Sequence, residues 1–432
     1  MKNQRILPQA LSACLFTITF ATAASEAAPV ITGVNGKLQD GSTLVISGKE
    51  FTAKKNASPL FWWKADMGVT PSNLGRKSSW DGTFNGDLTT EKAAPNSQQA
   101  VRFDHGQSSG AALGIVYFSS NQAFVHRKLY EDFDITKDFA IRSRISSLNG
   151  TFKVGQVVTG ASSGATAVVQ KATSDALWFS QSGGSINKKP AKDFVYGEKI
   201  SSATGSAVIS EGSDKYPNGV SRTFNYKTIR FWNGDYKNNI HMNAQGVDGN
   251  GYRTTAEYTD GTLWPGLKGS ANPLRQSPRV WQHQDVYYKA SDLNVANGIW
   301  RVDVDGVPSW TKTFITRTSD RPDPYNQIFQ SQVSNGAQIG SYVYYDSLYI
   351  DDTWHHVALC SSPRWSECSD KEMQIPTKWS DTSITIQVNE GSLNFDNSLY
   401  LYVVDKDGNA NVNGFALAGG NPPVAPILKV SD

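Results

Sequence analysis

Cysteine is scarce in this chain. Three occur in 432 residues, and one of them, Cys14, falls inside the N-terminal apolar stretch. At most one disulfide can therefore brace the remainder, and Cys360 and Cys368, separated by SSPRWSE, are expected to close a small loop in that way rather than to bind a metal. Charge imbalance is also lacking. Lys plus Arg number 41 against 39 acidic residues, a net of +2, so no global field draws in nucleic acid or an anionic membrane. After the N-terminal stretch no apolar run reaches the roughly 18 residues of a spanning helix. There is no Gly-rich phosphate loop leading into a helix, and no nucleophile elbow.

The abundant residues are those of turns and aromatic β structure: 37 Gly, 12 Trp and 17 Tyr. The expected class is all-β. The chain opens on Lys2 and Arg5, an apolar stretch from Leu11 to Phe20 and the small-residue site Ala21-Thr22-Ala23, a pattern that reads as a signal peptide over 1–23 and predicts a secreted or cell-surface protein. LSAC, Leu11 to Cys14, has the look of a lipobox. Its apolar region follows the cysteine instead of preceding it, which favours simple export over a lipid anchor.

Two short strand patterns separated by Asp40-Gly41 lie in PVITGVNGKLQDGSTLVISGKEF, Pro29 to Phe51. Here Gly41, Leu44, Ile46, Gly48 and Phe51 resemble the opening strands of the IPT/TIG family of immunoglobulin-like domains. The matching later strands come near the other end of the chain, where Ile384, Ile386 and Val388 alternate and LYLYVVDKDGNANVNGF follows. Each half alone would expose an apolar face and unpaired edges. The expectation is a split immunoglobulin-like sandwich over 29–59 and 362–417.

Between these halves, short alternating strands are punctuated by Asp81-Gly82, Asn85-Gly86, Asn233-Gly234, Asn297-Gly298 and Asp305-Gly306. NGIWRVDVDGVPSW and the later YYDSLYIDD strand are similar to the late strands of concanavalin A-like and laminin-G-like jelly rolls. A jelly-roll sandwich is thus expected over 60–150 and 211–358. Within it FKVGQVVTGASSGATAVV, from Phe152, returns as FVYGEKISSATGSAVIS, from Phe194. This echo predicts a compact β repeat module over 151–210, and it resembles small modules of phage tail and other virion proteins.

Three stretches concentrate groups suited to sugars. DFAIRSRIS carries Arg142 and Arg144 on one side of a strand; KTIRFWNGDYKNNIHMNAQ carries Asn239 and His241; VWQHQDVYYKAS carries Tyr288 and Lys289. In this order they are similar to three strands of the jelly-roll alginate lyases. That resemblance implies β-elimination from a uronate, with Arg142 or Asn239 neutralising the carboxylate, His241 as base and Tyr288 as acid. The family pattern is broken at Arg144 (glutamate), Ser146 (arginine) and Asn239 (glutamine), and Tyr288-Lys289 lacks the glycine, second tyrosine and glutamine that follow.

A binding role needs less, namely flat rings to stack on sugars and polar groups to hold hydroxyls. Trp232, Tyr236, Tyr252, Trp264 and Trp281 lie nearest the polar stretches, with Arg144 and Lys289 beside them. Binding of an extracellular polysaccharide is therefore the expected function, with a polysaccharide lyase and a structural adhesion protein as alternatives. No cofactor is expected. Asp346, Asp351 and Asp352 offer oxygens for a structural calcium, Asp303 and Asp305 form a same-face carboxylate pair, and adjacent His355 and His356 point to opposite faces and cannot share a metal readily.

Overall fold

The computed structural model describes residues 27–68, 86–95, 97–104, 128–138, 141–180, 194–210, 220–221, 225–233, 238–245, 252–259, 274–276, 280–319, 322, 327–335 and 341–417. Among them there is no α-helix, only two short 3-10 turns, and the pairings between strands are antiparallel throughout. No helix is long and apolar enough to cross a membrane among the described residues.

A central sheet runs in the order Val307–Phe314, Gly298–Val304, Gln282–Lys289, Lys128–Asp138, Tyr342–Asp351, Ala100–Asp104 and Gly86–Thr89, with Phe61–Trp63 also paired to Tyr342–Asp351. Its alternation explains its position. Leu129, Phe133 and Ile135 on one face join Val286, Tyr288, Trp300 and Val302 in a common core with Ile229 and Phe231 of a second, five-stranded sheet. That sheet runs Leu274–Gln276, Tyr252–Thr259, Asn238–Gln245, Asn225–Asn233, Gln327–Asn335. Two sheets sharing one apolar interior make the sandwich expected of a jelly roll.

The other face of the central sheet is covered as well. The chain's two ends meet there: Thr43–Lys49 pairs with Ser383–Gln387, Leu44 opposite Ile386 and Ile46 opposite Ile384. Strand Glu372–Trp379 bonds through its first residues to His356–Cys360 and through its later ones to Ser383–Gln387. It thereby joins two short sheets, and these close on Leu44, Ile46, Phe51, Val357, Leu359, Ile384, Ile386, Leu401 and Val403. Met373, Trp354 and Ala358 of this terminal sandwich pack on Tyr130, Tyr287 and Tyr349 of the central sheet. The molecule is thus three-layered at this point, and the central sheet sees protein on both sides.

The Cys360–Cys368 disulfide forms, with Cα atoms 5.7 Å apart, and packs with Tyr402 and Trp365. Its loop spans 8 positions. Loop-closure entropy then puts the cost of the double Cys360→Ser, Cys368→Ser variant at about 2.5 kcal/mol. A lowered urea midpoint with unchanged slope measures it.

The echoed segment is a barrel. Strands Ile141–Gly150, Ala176–Ser180, Thr166–Ala172, Val157–Gly160, Lys199–Ser201 and Gly205–Ser210 pair in that order and the last returns to the first. Its two halves correspond bond for bond. Gly155 N–H donates to Val169 and Gly197 N–H to Ile209, and both glycines hold positive φ, +85° and +79°, which side chains rarely adopt. The equivalent Gln156 and Glu198 each brace the turn of the opposite hairpin: Gln156 accepts from Ser202 and Thr204, Glu198 from Ser162 and Ser163. Ile141–Gly150 was expected in the jelly roll. It belongs to the barrel instead, because Ile145 sits in the barrel core with Val158, Val169 and Ile209.

Candidate functional site

The three strands expected to converge lie in three different sheets. Arg142 and Arg144 are on the barrel, where Arg142 is half-buried over the Trp178 ring at 5.3 Å and Arg144 is exposed. Asn239 and His241 are on the five-stranded sheet. Tyr288 and Lys289 are on the central sheet. Tyr288 packs within the core, its ring 4.9 Å from Phe231 and stacked on it. Phe231 occupies the inner face of the five-stranded sheet, opposite Ile240. Alternation then puts Asn239 and His241 on the outer face, so a sheet separates Tyr288 from His241. Four convergent groups are thereby reduced to two. Trp281 is buried with Ala94, Ala100 and Tyr344 rather than presented to a ligand, and Lys289 is half-buried at its strand end. Tyr236 and Trp264 lie outside the described residues, as do segment 1–23 and the side chains of Trp232, Asn239, His241 and Tyr252.

Backbone register nevertheless assembles a row that the sequence reading missed. Phe329, Arg230, His241 and Glu257 stand opposite one another on four adjacent strands. The next row on that face is Gln327, Trp232, Asn239 and Thr259. The inner face of the same strands carries Ile229, Phe231, Ile240 and Met242, the division expected of a sheet with one packed and one polar side. The register thus places a cationic, an imidazole, a carboxylate and an aromatic residue in neighbouring rows; the side chains of Arg230, Glu257, Thr259, Gln327 and Phe329 also lie outside the described residues. Arg230 and Glu257 could have been found from the sequence only by knowing which strands are neighbours.

A second polar cluster lies beneath the terminal sandwich. Asp132 is opposite Asp285, and Asp134 opposite His283, on adjacent strands of the central sheet. His283 Nδ1 is 3.1 Å from Asp134 Oδ1 and Nε2 is 2.8 Å from Asp132 Oδ2. Tyr130 donates to Asp285 at 2.5 Å, and Lys371, from the terminal sandwich, bonds the other oxygen of Asp285. Burial pushes the Asp132 carboxyl up to about 6, although the His283 charge opposes it. For His283 burial works against protonation, yet Asp132 and Asp134 outweigh it and hold the imidazole well above its ordinary value.

The other polar candidates have structural partners. Asp346 accepts from the Ala65 and Ser347 amides, and Asp351 pairs with Lys54, so these two do not gather round a calcium with Asp352. Asp303 is held by Arg301 through both oxygens and Asp305 accepts from the His283 amide, which leaves no open carboxylate pair. His355 contacts Thr52 and His356 stacks on Tyr130 at 4.0 Å, on different sides of the chain. Burial lowers both to about 3, so both are neutral imidazoles.

Comparison with known proteins gives no match to any protein-family model or to any curated protein sequence. Solved structures give faint likenesses. An endo-beta-1,4-glucuronan lyase from the fungus Trichoderma reesei is 11% identical with a TM-score of 0.32, covering 69% of this chain and 97% of its own. An alginate lyase bound to an alginate tetrasaccharide is 13% identical with a TM-score of 0.29, covering 63% and 94%. A third, the alginate lyase vAL-1 from Chlorella virus, is 11% identical with a TM-score of 0.28, covering 64% and 93%.

Proposed function

We propose that the protein binds an extracellular polysaccharide on the outer face of the five-stranded sheet. The observation that carries this reading is the register that sets Arg230, His241 and Glu257 in one row beside Trp232 and Asn239 in the next. Trp232 supplies a flat ring for stacking, Asn239 a paired donor and acceptor for hydroxyls, and Arg230 a partner for a uronate carboxylate. Neither Tyr288 nor Trp281 takes part, since both are buried elsewhere. The reading takes the protein to be exported. The Cys360–Cys368 disulfide supports this, because such bonds persist chiefly in oxidising compartments. In this scheme the terminal sandwich is an IPT/TIG-like domain that carries the glycan-binding module.

The test is retardation in gels cast with neutral and uronate-containing polysaccharides, followed by titration against whichever polymer retards the protein. Trp232→Ala is expected to weaken binding about tenfold, the 1.4 kcal/mol of one well-stacked ring. Absence of retardation by any polymer would sink the proposal.

The cross-strand pair His241 and Glu257 favours a second reading, a lyase acting on uronate polymers. His241 would take the C5 proton and pass it to the glycosidic oxygen as the C4–O bond breaks, Arg230 would steady the developing carboxylate charge, and Glu257 would hold the imidazole in place. A rise in ultraviolet absorbance from unsaturated uronate ends, lost in His241→Ala with binding retained, identifies catalysis. Binding with no such rise leaves recognition alone.

A further inference from the structure

Among the described residues, the cluster under the terminal sandwich holds more acidic than cationic side chains. Asp132, Asp134, Asp285 and Asp303 lie on three adjacent strands of the central sheet, and Glu372 is buried in the layer above it. Lys371 serves Asp285 and Arg301 serves Asp303. Among the described residues His283 is the cationic group nearest Asp132 and Asp134, with the Tyr130 hydroxyl also 3.2 Å from Asp132.

The geometry at His283 is informative. Its side chain is 5% exposed, and Nδ1 faces Asp134. Nε2 points into the space between two carboxylates, 2.8 Å from Asp132 and 3.9 Å from Asp285. Despite that closeness Nε2 has no hydrogen-bond partner, so the Asp132 oxygen sits off the N–H direction. With Nδ1–H donated to Asp134, the neutral ring carries on Nε2 a lone pair that faces both carboxylates. Asp132 Oδ2, His283 Nε2 and Asp285 Oδ1 all lie within 4.8 Å of one another.

We propose that Asp132, His283 and Asp285 bind one divalent transition metal of the zinc class beneath the terminal sandwich. The donor set selects the ion, because an imidazole nitrogen with two carboxylate oxygens suits zinc, cobalt or manganese better than calcium, which takes oxygens. The surroundings match an outer shell. Asp134 on Nδ1 fixes the ring and leaves Nε2 for the metal, the carboxylate–histidine–metal arrangement, while Lys371 and Tyr130 orient Asp285. Binding expels any proton on Nε2 to solvent, and the divalent charge then answers Asp132 and Asp134 together. The ligands come from two adjacent strands of the central sheet and Lys371 of the terminal sandwich covers them, so the ion exchanges slowly.

The full-length protein is unfolded with chelator, refolded in parallel with Zn²⁺, with Co²⁺ or without metal, and desalted. One equivalent of zinc per chain, a visible cobalt spectrum of low-symmetry nitrogen and oxygen ligation, and a higher unfolding midpoint than the metal-free protein are expected. His283→Gln should abolish the retained metal, and Glu198→Gln, which alters a carboxylate of the barrel, should keep it. Refolding with no retained metal and the same midpoint in all three samples would overturn the proposal in favour of a plain imidazolium–carboxylate cluster. Full metal retention by His283→Gln would overturn it too. Should the variant fail to fold, the wild-type cobalt spectrum decides, since a spectrum with no ligand-field bands also rules the site out.

Discussion

Trp300→Ala is expected to destabilise the protein by about 3–5 kcal/mol, the range for a large aromatic removed from a tightly packed interior. Trp300 has no solvent exposure, meets Phe231 edge-on at 5.1 Å between ring centroids, and lies 6.4 Å from Tyr288. It thus touches both layers of the sandwich, and its loss opens a space that neither sheet can close without breaking its strand register. A control separates packing from polarity. The indole N–H has no acceptor among the described residues, so Trp300→Phe gives up a buried unsatisfied donor along with part of the ring and should cost markedly less. Denaturant midpoints for the two variants check both statements, and equal costs would refute the packing account.

Lys54→Met is the second large effect, and it depends on pH. The Lys54 ammonium is 2.5 Å from Asp351 Oδ2, with both side chains fully buried, and also donates to the Ala57 carbonyl at 2.8 Å. Burial raises the Asp351 carboxyl to about 7 from an ordinary 3.8, with Lys54 pulling the other way. A carboxyl raised on folding contributes stability that is whole below its unfolded value and is lost as pH rises through its folded one, here between about pH 4 and 7. Removing the cation moves the carboxyl higher still. The carboxyl then keeps its proton, and at about pH 8 the variant should lose about 1.4 kcal/mol beyond the cost of altered packing, the linkage of the one unit between pH 8 and the wild-type value of about 7. Near pH 5 the carboxyl is already protonated, and the loss shrinks to that of altered packing on Trp379, over whose ring Lys54 lies at 5.3 Å. Urea unfolding of both proteins at the two pH values measures the difference, and a pH-independent cost would contradict it.

The β class, the disulfide and the internal echo were legible because each is local. Alternation at Leu44 and Ile46, or at Ile384 and Ile386, marks a strand with one packed face without knowledge of its neighbours. The echo of Phe152 in Phe194 carries over into matched hydrogen bonds for the same reason. The candidate site was not legible, since it depends on which strands are adjacent. Tyr287 and Tyr288 illustrate the difficulty. Alternation sends them to opposite faces, and in a two-layer sandwich one face would be wet; here both are covered, Tyr288 by the five-stranded sheet and Tyr287 by Trp354 of the terminal sandwich. For the same reason Asp132 is buried and Asp134 nearly so. The residues in register with His241, Arg230 and Glu257, come from strands that no spacing rule connects to it.

The joining of the two chain ends has a consequence for biosynthesis. Asp40 accepts a hydrogen bond from the Glu390 amide, 350 positions away, and the hairpin around it has no lasting partner until strand Ser383–Gln387 has emerged. During translation its apolar side must be shielded by chaperones or by transient contacts. Maturation should then be limited by the arrival of the last strands, and nascent chains halted before them should stay protease-sensitive at the hairpin even where the barrel has already become resistant.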